Sequence, residues 1–556
     1  MNGSDRNAAI WYAQDGFDPS TKGINGRRVA GESFLKGFLR HAEVDEFVFL
    51  TKQAGELDPV RALAATLRPN VPVRPVALLR PNQIAPVSTI FFPSPNFTAE
   101  AWRRAPYGTA AWSVCGITHT TSTAAVMQGL FDLRMAPVCE WDAVICTSQA
   151  VFTSVNYQMD LIDSHMRSHL RVNPPPRPML PVIPLGIHCD DFVPDAAKGA
   201  ALRKRIGAGA EDVVFVTIAR LTPHEKFDPL PIYIAMQNAS RQLAKGQKLH
   251  VVMCGVFRDD YSRTVFEKGA AQLMPDVGFA ILDGADPDER KAALSGADVF
   301  MFLIDNIQET FGLAPLEGMA AGLPLLVSDW DGMRDTVTAD VGFRVTTRSL
   351  GPQHLAQEAL RYQGGIDNYV QYCASTSAMT EIDMGELTAR ILELACNPDL
   401  RKRMGAAGAR RVRAQYDWTR VIPQVQDLWA EQEVRRRLGM AKSLRYPGDA
   451  LPISPSPTAL FASYPTQKAS FGEATLVAND LAGGATVAEV LAVRNYQGLK
   501  RIFASPEHIE QIHRFIAGAG PQGTTLAHIE AATGIKGIAA ERIVIWLMKY
   551  AFIQRN

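Results

Sequence analysis

The sequence predicts an α/β protein: two doubly wound, parallel-sheet domains followed by a small, mainly helical C-terminal domain. Three observations predict it. Short apolar runs alternate with helical patterns up to about residue 345, as β–α–β crossover units require. The runs are too numerous for one comfortable sheet, and Pro184-Leu-Gly-Ile-His188 marks a turn that divides them. After about Asn397 the texture changes to Arg/Lys-rich helix, then a Pro/Ser-rich stretch, then a compact helical tail.

In chain order, strands are expected at Ala8–Tyr12, Glu46–Leu50, Ser88–Phe92, Trp112–Ile117, Ala143–Thr147 and Val182–Pro184 in the first domain, residues 1–185. In the second, residues 186–397, they are expected at Val213–Ile218, Leu249–Cys254, Phe279–Leu282, Val299–Ile304 and Leu325–Ser328. Segments such as Ala30–His41 and Pro287–Ser295 read as the intervening helices. Leu400–Arg437 reads as helix interrupted near Tyr416-Asp-Trp418, and residues 398–440 are expected to cross back and brace the first domain. Residues 441–470 read as a linker. In the tail, residues 471–556, Thr525–Lys536 suggests helix, glycine turn, helix, and Ala539–Tyr550 a further amphipathic helix, a pattern resembling a winged-helix or helix-turn-helix module.

Composition narrows the function classes. A chain of 556 residues exceeds one core and calls for two or three domains. Lys plus Arg equals Asp plus Glu at 57 each, which argues against a dominant polyanion-binding role. The seven cysteines are scattered without a C-x2-C pair, so a reducing compartment is expected and no metal site is indicated. Neither a secretory h-region nor a membrane-spanning run is read, and a cytoplasmic location is expected.

The chemistry concentrates in Glu309-Thr-Phe-Gly-Leu-Ala-Pro-Leu-Glu317. Two carboxylates at E-x7-E spacing flank a turn between an apolar strand and a helix start. Free N–H groups at a helix N-terminus suit a phosphate, and carboxylates beside it accept sugar hydroxyls. A second signal is the strand Val213–Ile218 followed by Arg220 and Lys226. The carboxyl end of a parallel strand is where doubly wound folds bind ligands, and this cation pair suits a diphosphate. Weaker signals are Gly186–Phe192 at the domain junction, the strand end carrying His119, and the loop Lys22–Gly26 opening a helix. On the residues alone His119 is as readily structural as functional.

These pieces, in this order, resemble the GT-B glycosyltransferases of the retaining family 4 type, over roughly residues 8 to 435. Glu309 to Glu317 matches that family's E-x7-E motif, Arg220 and Lys226 its diphosphate pair, Gly186–Phe192 its interdomain turn, and Trp141–Ser148 its "aD.viavS" strand. The resemblance implies two Rossmann-like domains facing a cleft. It implies transfer of a sugar from a nucleoside-diphosphate sugar, with retention, no metal and no separate cofactor. Glu317 would hold the ribose hydroxyls and Glu309 the donor sugar. Backbone N–H groups of Phe311, Gly312 and Leu313 would face sugar and diphosphate, Arg220 and Lys226 would bind the diphosphate, His119 would reach the sugar from the first domain, and Gly26 would let its loop approach the phosphates. The chain departs from the pattern at Phe227 (often Gly), at Asp335 (often Glu) and in its glycine loop.

The expected partners are the nucleotide-sugar donor and a saccharide or lipid-linked acceptor. The basic clusters Arg401–Arg403, Arg410–Arg411 and Arg435–Arg437 admit peripheral contact with the inner membrane face, although a solvated helix face is the preferred reading. In the tail, Lys536, Arg542, Lys549 and Arg555 are diluted by Glu530 and Glu541, so partner binding or oligomerisation is preferred over DNA binding. Two other functions stay open on these residues: an epimerase or phosphorylase on the same scaffold, and a nucleotide-sugar sensor acting through its tail.

Overall fold

A computed structural model describes residues 3–17, 26–494 and 505–556. Its first unit, Met1–Ile453, contains two six-stranded parallel sheets. The first is built from β1 (Ala9–Trp11), β2 (Phe47–Thr51), β3 (Val73–Ala77), β4 (Thr89–Phe92), β5 (Ser113–Ile117) and β6 (Ala143–Ile145), in the order β3-β2-β1-β4-β5-β6. The second uses β7 (Val213–Ile218), β8 (Leu249–Gly255), β9 (Gly278–Asp283), β10 (Val299–Phe302), β11 (Leu325–Ser328) and β12 (Gly342–Val345), in the order β12-β11-β10-β7-β8-β9. Counted from its own first strand, each sheet has the same order. The direction of winding reverses between β1 and β4 in one lobe and between β7 and β10 in the other. Those two reversals are the ligand positions of a doubly wound fold.

Strands buried on both faces were legible as apolar runs: every residue of β7, β10 and β11 is buried. Two expectations need correction. Val182–Pro184 is no strand; it makes a single bridge, Val182 to Cys146, because Pro181 and Pro184 withhold the N–H groups a ladder needs. The edge strands β3 and β12 were missed. β3 reads Val-Arg-Pro-Val-Ala, with a proline inside and little alternation.

A short pairing joins the lobes. Ile187 N–H donates to Tyr416 O at 2.9 Å, and Trp418 N–H donates to Ile187 O at 3.1 Å. Trp418 fills the junction so closely that a Cβ on Gly186 would sit 2.6 Å from its ring. Asp417 caps the helix Trp418–Leu438, which runs back along the first sheet. There Gln432 donates to Val114 O at 3.1 Å and Trp141 O at 2.9 Å, and Arg436 donates to Ala110 O at 2.8 Å. Arg435, Arg436 and Arg437 are ion-paired with Glu431, Glu433 and Asp5, so this basic cluster spends its charge within the chain. Lys402, Arg403 and Arg410 remain exposed.

The second unit, Ser454–Asn556, packs helices Pro506–Gly518, Leu526–Thr533 and Ile538–Lys549 with an antiparallel pair, Leu476–Ala478 and Ile553–Arg555. Its core includes Ile509, Ile512, Ile516, Ile529, Val544 and Leu547. Thr525 caps the middle helix, and Gly534 at φ +73° ends it. No described helix is long and apolar enough to cross a membrane.

Candidate active site

Two loops meet at the reversal between β7 and β10. The loop after β7 delivers Arg220 and Lys226, and the loop after β10 delivers Asn306, Gln308 and Glu309. Buried Asn306 ties them together. Its amide donates to His224 O at 2.7 Å, its side-chain oxygen accepts from Gln308 N–H at 3.0 Å, and its own carbonyl accepts from Trp330 Nε1 at 3.1 Å. Arg220 donates to Gln308, and Lys226 Nζ is ion-paired with Glu309 Oε2 while lying 5.1 Å from the Phe302 ring centre. The Lys226 and Glu309 side chains are 19% and 12% exposed, so their attraction is only partly screened.

The other Glu309 oxygen, Oε1, accepts from Gly312 N–H at 3.0 Å and Thr310 N–H at 3.3 Å. Gly312, at φ +82°, stands immediately before the helix Leu313–Ala320, where a left-handed residue costs glycine least. The family resemblance implies that the Phe311, Gly312 and Leu313 N–H groups face sugar and diphosphate. Here the Glu309 carboxylate itself takes the Phe311 and Gly312 N–H groups, at 3.5 and 3.0 Å, as an internal anion between a cation and a helix start. Burial alone would raise its pKa, but the Lys226 ammonium and the Gly312 and Thr310 N–H groups outweigh burial and hold it below the usual carboxylate range.

Glu317 lies in the second turn of the same helix. Its carboxylate has no hydrogen bond or ion pair among the described residues, and burial pushes it up to about 7 against the opposing pull of Arg290. Two hydroxyl groups, those of Thr310 and Ser148, make contacts between the lobes beside Glu309. Thr310 Oγ1 donates to His119 O at 3.0 Å, which brings the strand end bearing His119 beside Glu309. Ser148, the cap of helix Gln149–His165, lies 2.9 Å from Thr310 O and 3.2 Å from Asp331 Oδ1. Asp335 accepts from Gln149 N–H at 2.7 Å. Gly26 opens the helix Gly26–His41; the rest of its loop, from Lys22, lies outside the described residues.

Sequence reasoning missed Ser148, Asn306, Gln308 and Asp331. Asp331 carries a signal after the fact: it adopts φ +44°, where a non-glycine residue is strained. Its Oδ2 is buried without a hydrogen-bond partner among the described residues. Ser148 has one hydroxyl proton. With that proton on Thr310 O, the Asp331 contact needs a proton on Asp331. Burial first, and then the Glu309 charge, push Asp331 up to about 8, which agrees. A carboxyl whose folded pKa exceeds its unfolded value holds a proton that the unfolded chain has lost, so stability falls as pH rises from about 4 to about 8. Asp331→Asn, which tolerates the left-handed backbone and can donate to Ser148, is expected to melt several degrees above wild type at pH 8 and close to it at pH 5. Equal melting shifts at both pH values would contradict a neutral Asp331.

Residues 200–361 match the family model described as glycosyl transferases group 1. The matched residues lie in the second lobe. Among curated proteins, the chain is 25% identical over 281 residues to the GDP-mannose-dependent alpha-(1-6)-phosphatidylinositol monomannoside mannosyltransferase of Mycobacterium tuberculosis, strains CDC 1551 and H37Rv. That alignment covers 50% of this chain and 62% of the relative, so the chain spans less than two thirds of the relative's length. Among solved structures, it is similar to Anabaena Alr3699/HepE in complex with UDP, with TM-score 0.46 and 14% identity over 76% of this chain and 100% of that one. A glycosyltransferase from Rickettsia africae gives TM-score 0.47 and 11% identity over 77% of this chain and 98% of that one. Sucrose-phosphate synthase from Thermosynechococcus elongatus gives 0.43 and 14%, over 79% and 98%.

Proposed function

We propose that this protein is a retaining, metal-independent glycosyltransferase that moves a sugar from a nucleoside-diphosphate sugar to a saccharide or lipid-linked acceptor. One observation carries the reading: Arg220, Lys226 and Glu309 converge at the sheet reversal of the lobe matched by the group 1 family model, with Glu317 in the second turn of the helix that follows. The loop cations are placed to neutralise a diphosphate as it leaves, which is where charge develops in an oxocarbenium-like transfer. When the donor enters, its diphosphate takes over the Lys226 and helix-start contacts that Glu309 now makes, and Glu309 turns to the sugar hydroxyls. His119 reaches the sugar from the first lobe, and Gly26 allows its loop near the phosphates. Glu317 accepts the ribose hydroxyls.

The names of the relatives bring two donors into view, since one is GDP-mannose-dependent and another was solved with UDP. The phospholipid acceptor in the mannosyltransferase's name favours a lipid-linked acceptor here, and with it peripheral contact between a cytoplasmic protein and the inner membrane face. The C-terminal unit, read as winged-helix-like, serves partner binding or oligomerisation.

Ribose hydroxyls donate to the ionised form of Glu317. UDP-glucose or GDP-mannose, whichever binds and neither of which titrates in this range, is therefore expected to bind more tightly as pH rises through about 7, and Glu317→Gln to bind weakly with that inflection gone. Calorimetric titration from pH 6 to pH 8 checks it; an unchanged inflection in the variant would remove Glu317 from the nucleotide site.

A further inference from the structure

Residues 350–379 leave the second lobe and return to the same place. β13 (Thr347–Ser349) and β14 (Thr380–Ile382) pair antiparallel, Ser349 opposite Thr380, and form the neck of this excursion. Its head is two helices, Ala356–Gln363 and Tyr369–Ala378. The turn between them is stapled by Arg361 and Asp367, at 2.8 and 2.7 Å, and by a capping box between Asn368 and Gln371. The head is thus built to hold its own shape.

Its inner face sits over the donor-side loops. Cys373 and Ser377 are buried, Ser377 beside Asp305 and Cys373 within electrostatic range of Arg220 and Glu225. Its tyrosines reach the other lobe. Tyr369 Oη and Ser122 Oγ are 2.9 Å apart, and Ala124 N–H donates to Tyr362 Oη at 2.8 Å. One contact falls on the segment between β5 and helix Ala124–Met135, which carries His119, and the other on the first residue of that helix. Thr310 also holds this segment, through His119 O. Tyr362 also stacks on Tyr372, with ring centres 4.4 Å apart and planes at 11°.

We propose that residues 350–379 form a strap that ties the two lobes at the mouth of the donor site, with Tyr362 and Tyr369 as positioning residues for the loop bearing His119. The catalytic consequence rests on the transferase reading; the tie does not. A strap that holds this loop shut keeps water from the donor's anomeric carbon. When it is loosened, more donor is lost to hydrolysis: the anomeric C–O bond to the diphosphate breaks, a water oxygen replaces it, and the water's proton passes to solvent or to the released diphosphate.

The test is the double variant Tyr362→Phe/Tyr369→Phe in the full chain, which removes two hydroxyls and keeps both rings. Hydrogen exchange of the ligand-free protein is expected to rise about tenfold at amides 118–125, with the melting temperature within about 2 °C of wild type. Ser122→Ala, which cuts one tie from the opposite lobe, is expected to raise exchange there too, and Tyr372→Phe, whose ring only stacks, to leave it unchanged. Unchanged protection at 118–125 in the double variant and in Ser122→Ala overturns the strap. UDP-glucose and GDP-mannose are then supplied without acceptor. If wild type hydrolyses one of them, the double variant is expected to hydrolyse it at least threefold faster, and an equal or slower rate overturns the water-excluding role. If wild type turns over neither donor, the transferase reading loses support while the exchange result still decides the strap.

Discussion

Lys226→Ala is expected to lower donor turnover by about 10²–10³-fold, the loss typical when one preorganised charge or donor is removed from a developing anion. The reason lies in what Lys226 does before any donor arrives. It is the one cation paired with Glu309 among the described residues, and its charge is the largest of the influences that keep this buried carboxylate ionised. Without it Glu309 is left desolvated beside Asp331, another acidic group, and its pKa rises. The diphosphate then meets Arg220 alone, and Glu309 is no longer drawn into position. Lys226→Arg is expected to recover part of the loss, because it keeps the charge but not the compact ammonium. Nucleoside diphosphate release, followed alongside nucleotide binding, separates the two roles: binding should weaken less than turnover. Turnover within threefold of wild type would exclude Lys226 from the reaction.

Asp142→Ala is expected to cost about 3–5 kcal/mol of the first unit's stability, the range for stranding one partner of a buried ion pair. Arg104 and Asp142 are both 0% exposed, and they meet through two bonds of 2.6 and 2.7 Å. Asp142 also accepts from Val114 N–H and Cys139 N–H, both at 2.8 Å, and so pins the start of β6 to β5. The variant leaves a guanidinium in the core with only the carbonyls of Trp112 and Pro137 to receive it. Urea unfolding with an unchanged slope and a lowered midpoint is the expected record. Asp142→Asn, which retains an acceptor for a backbone N–H, should lose less. A loss below about 1 kcal/mol for Asp142→Ala would mean that the pair's desolvation had cancelled its attraction.

What could be read from the sequence followed burial. β7, β10 and β11 stood out because both their faces are covered, and the residues after β7 and β10 could be placed at strand ends for that reason. Edge strands such as β3 carry no such pattern. Arg220, Lys226 and Glu309 were singled out by charge at strand ends, and the fold brings them together. That Glu309 would fill the helix-start seat itself was not legible, since that depends on the conformation of its side chain. Asn306 and Gln308 join loops distant in sequence, Ser148 reads only as the end of the Trp141–Ser148 strand motif, and the meaning of Asp331 lies in its backbone angle and in a partner 183 positions away. The excursion 350–379 shows no strand alternation, and its tyrosines acquire a role only when the opposite lobe is present.

The most direct test of the central claim is nucleoside diphosphate release from a panel of donors, UDP-glucose, UDP-N-acetylglucosamine and GDP-mannose, by wild type, Lys226→Ala and Glu317→Ala. The account predicts that wild type is stabilised by one of these donors and slowly hydrolyses it, and that both variants fail with it. Release that persists undiminished in both variants, or a wild-type protein that neither binds nor cleaves any donor, would contradict a donor site built from Arg220, Lys226, Glu309 and Glu317.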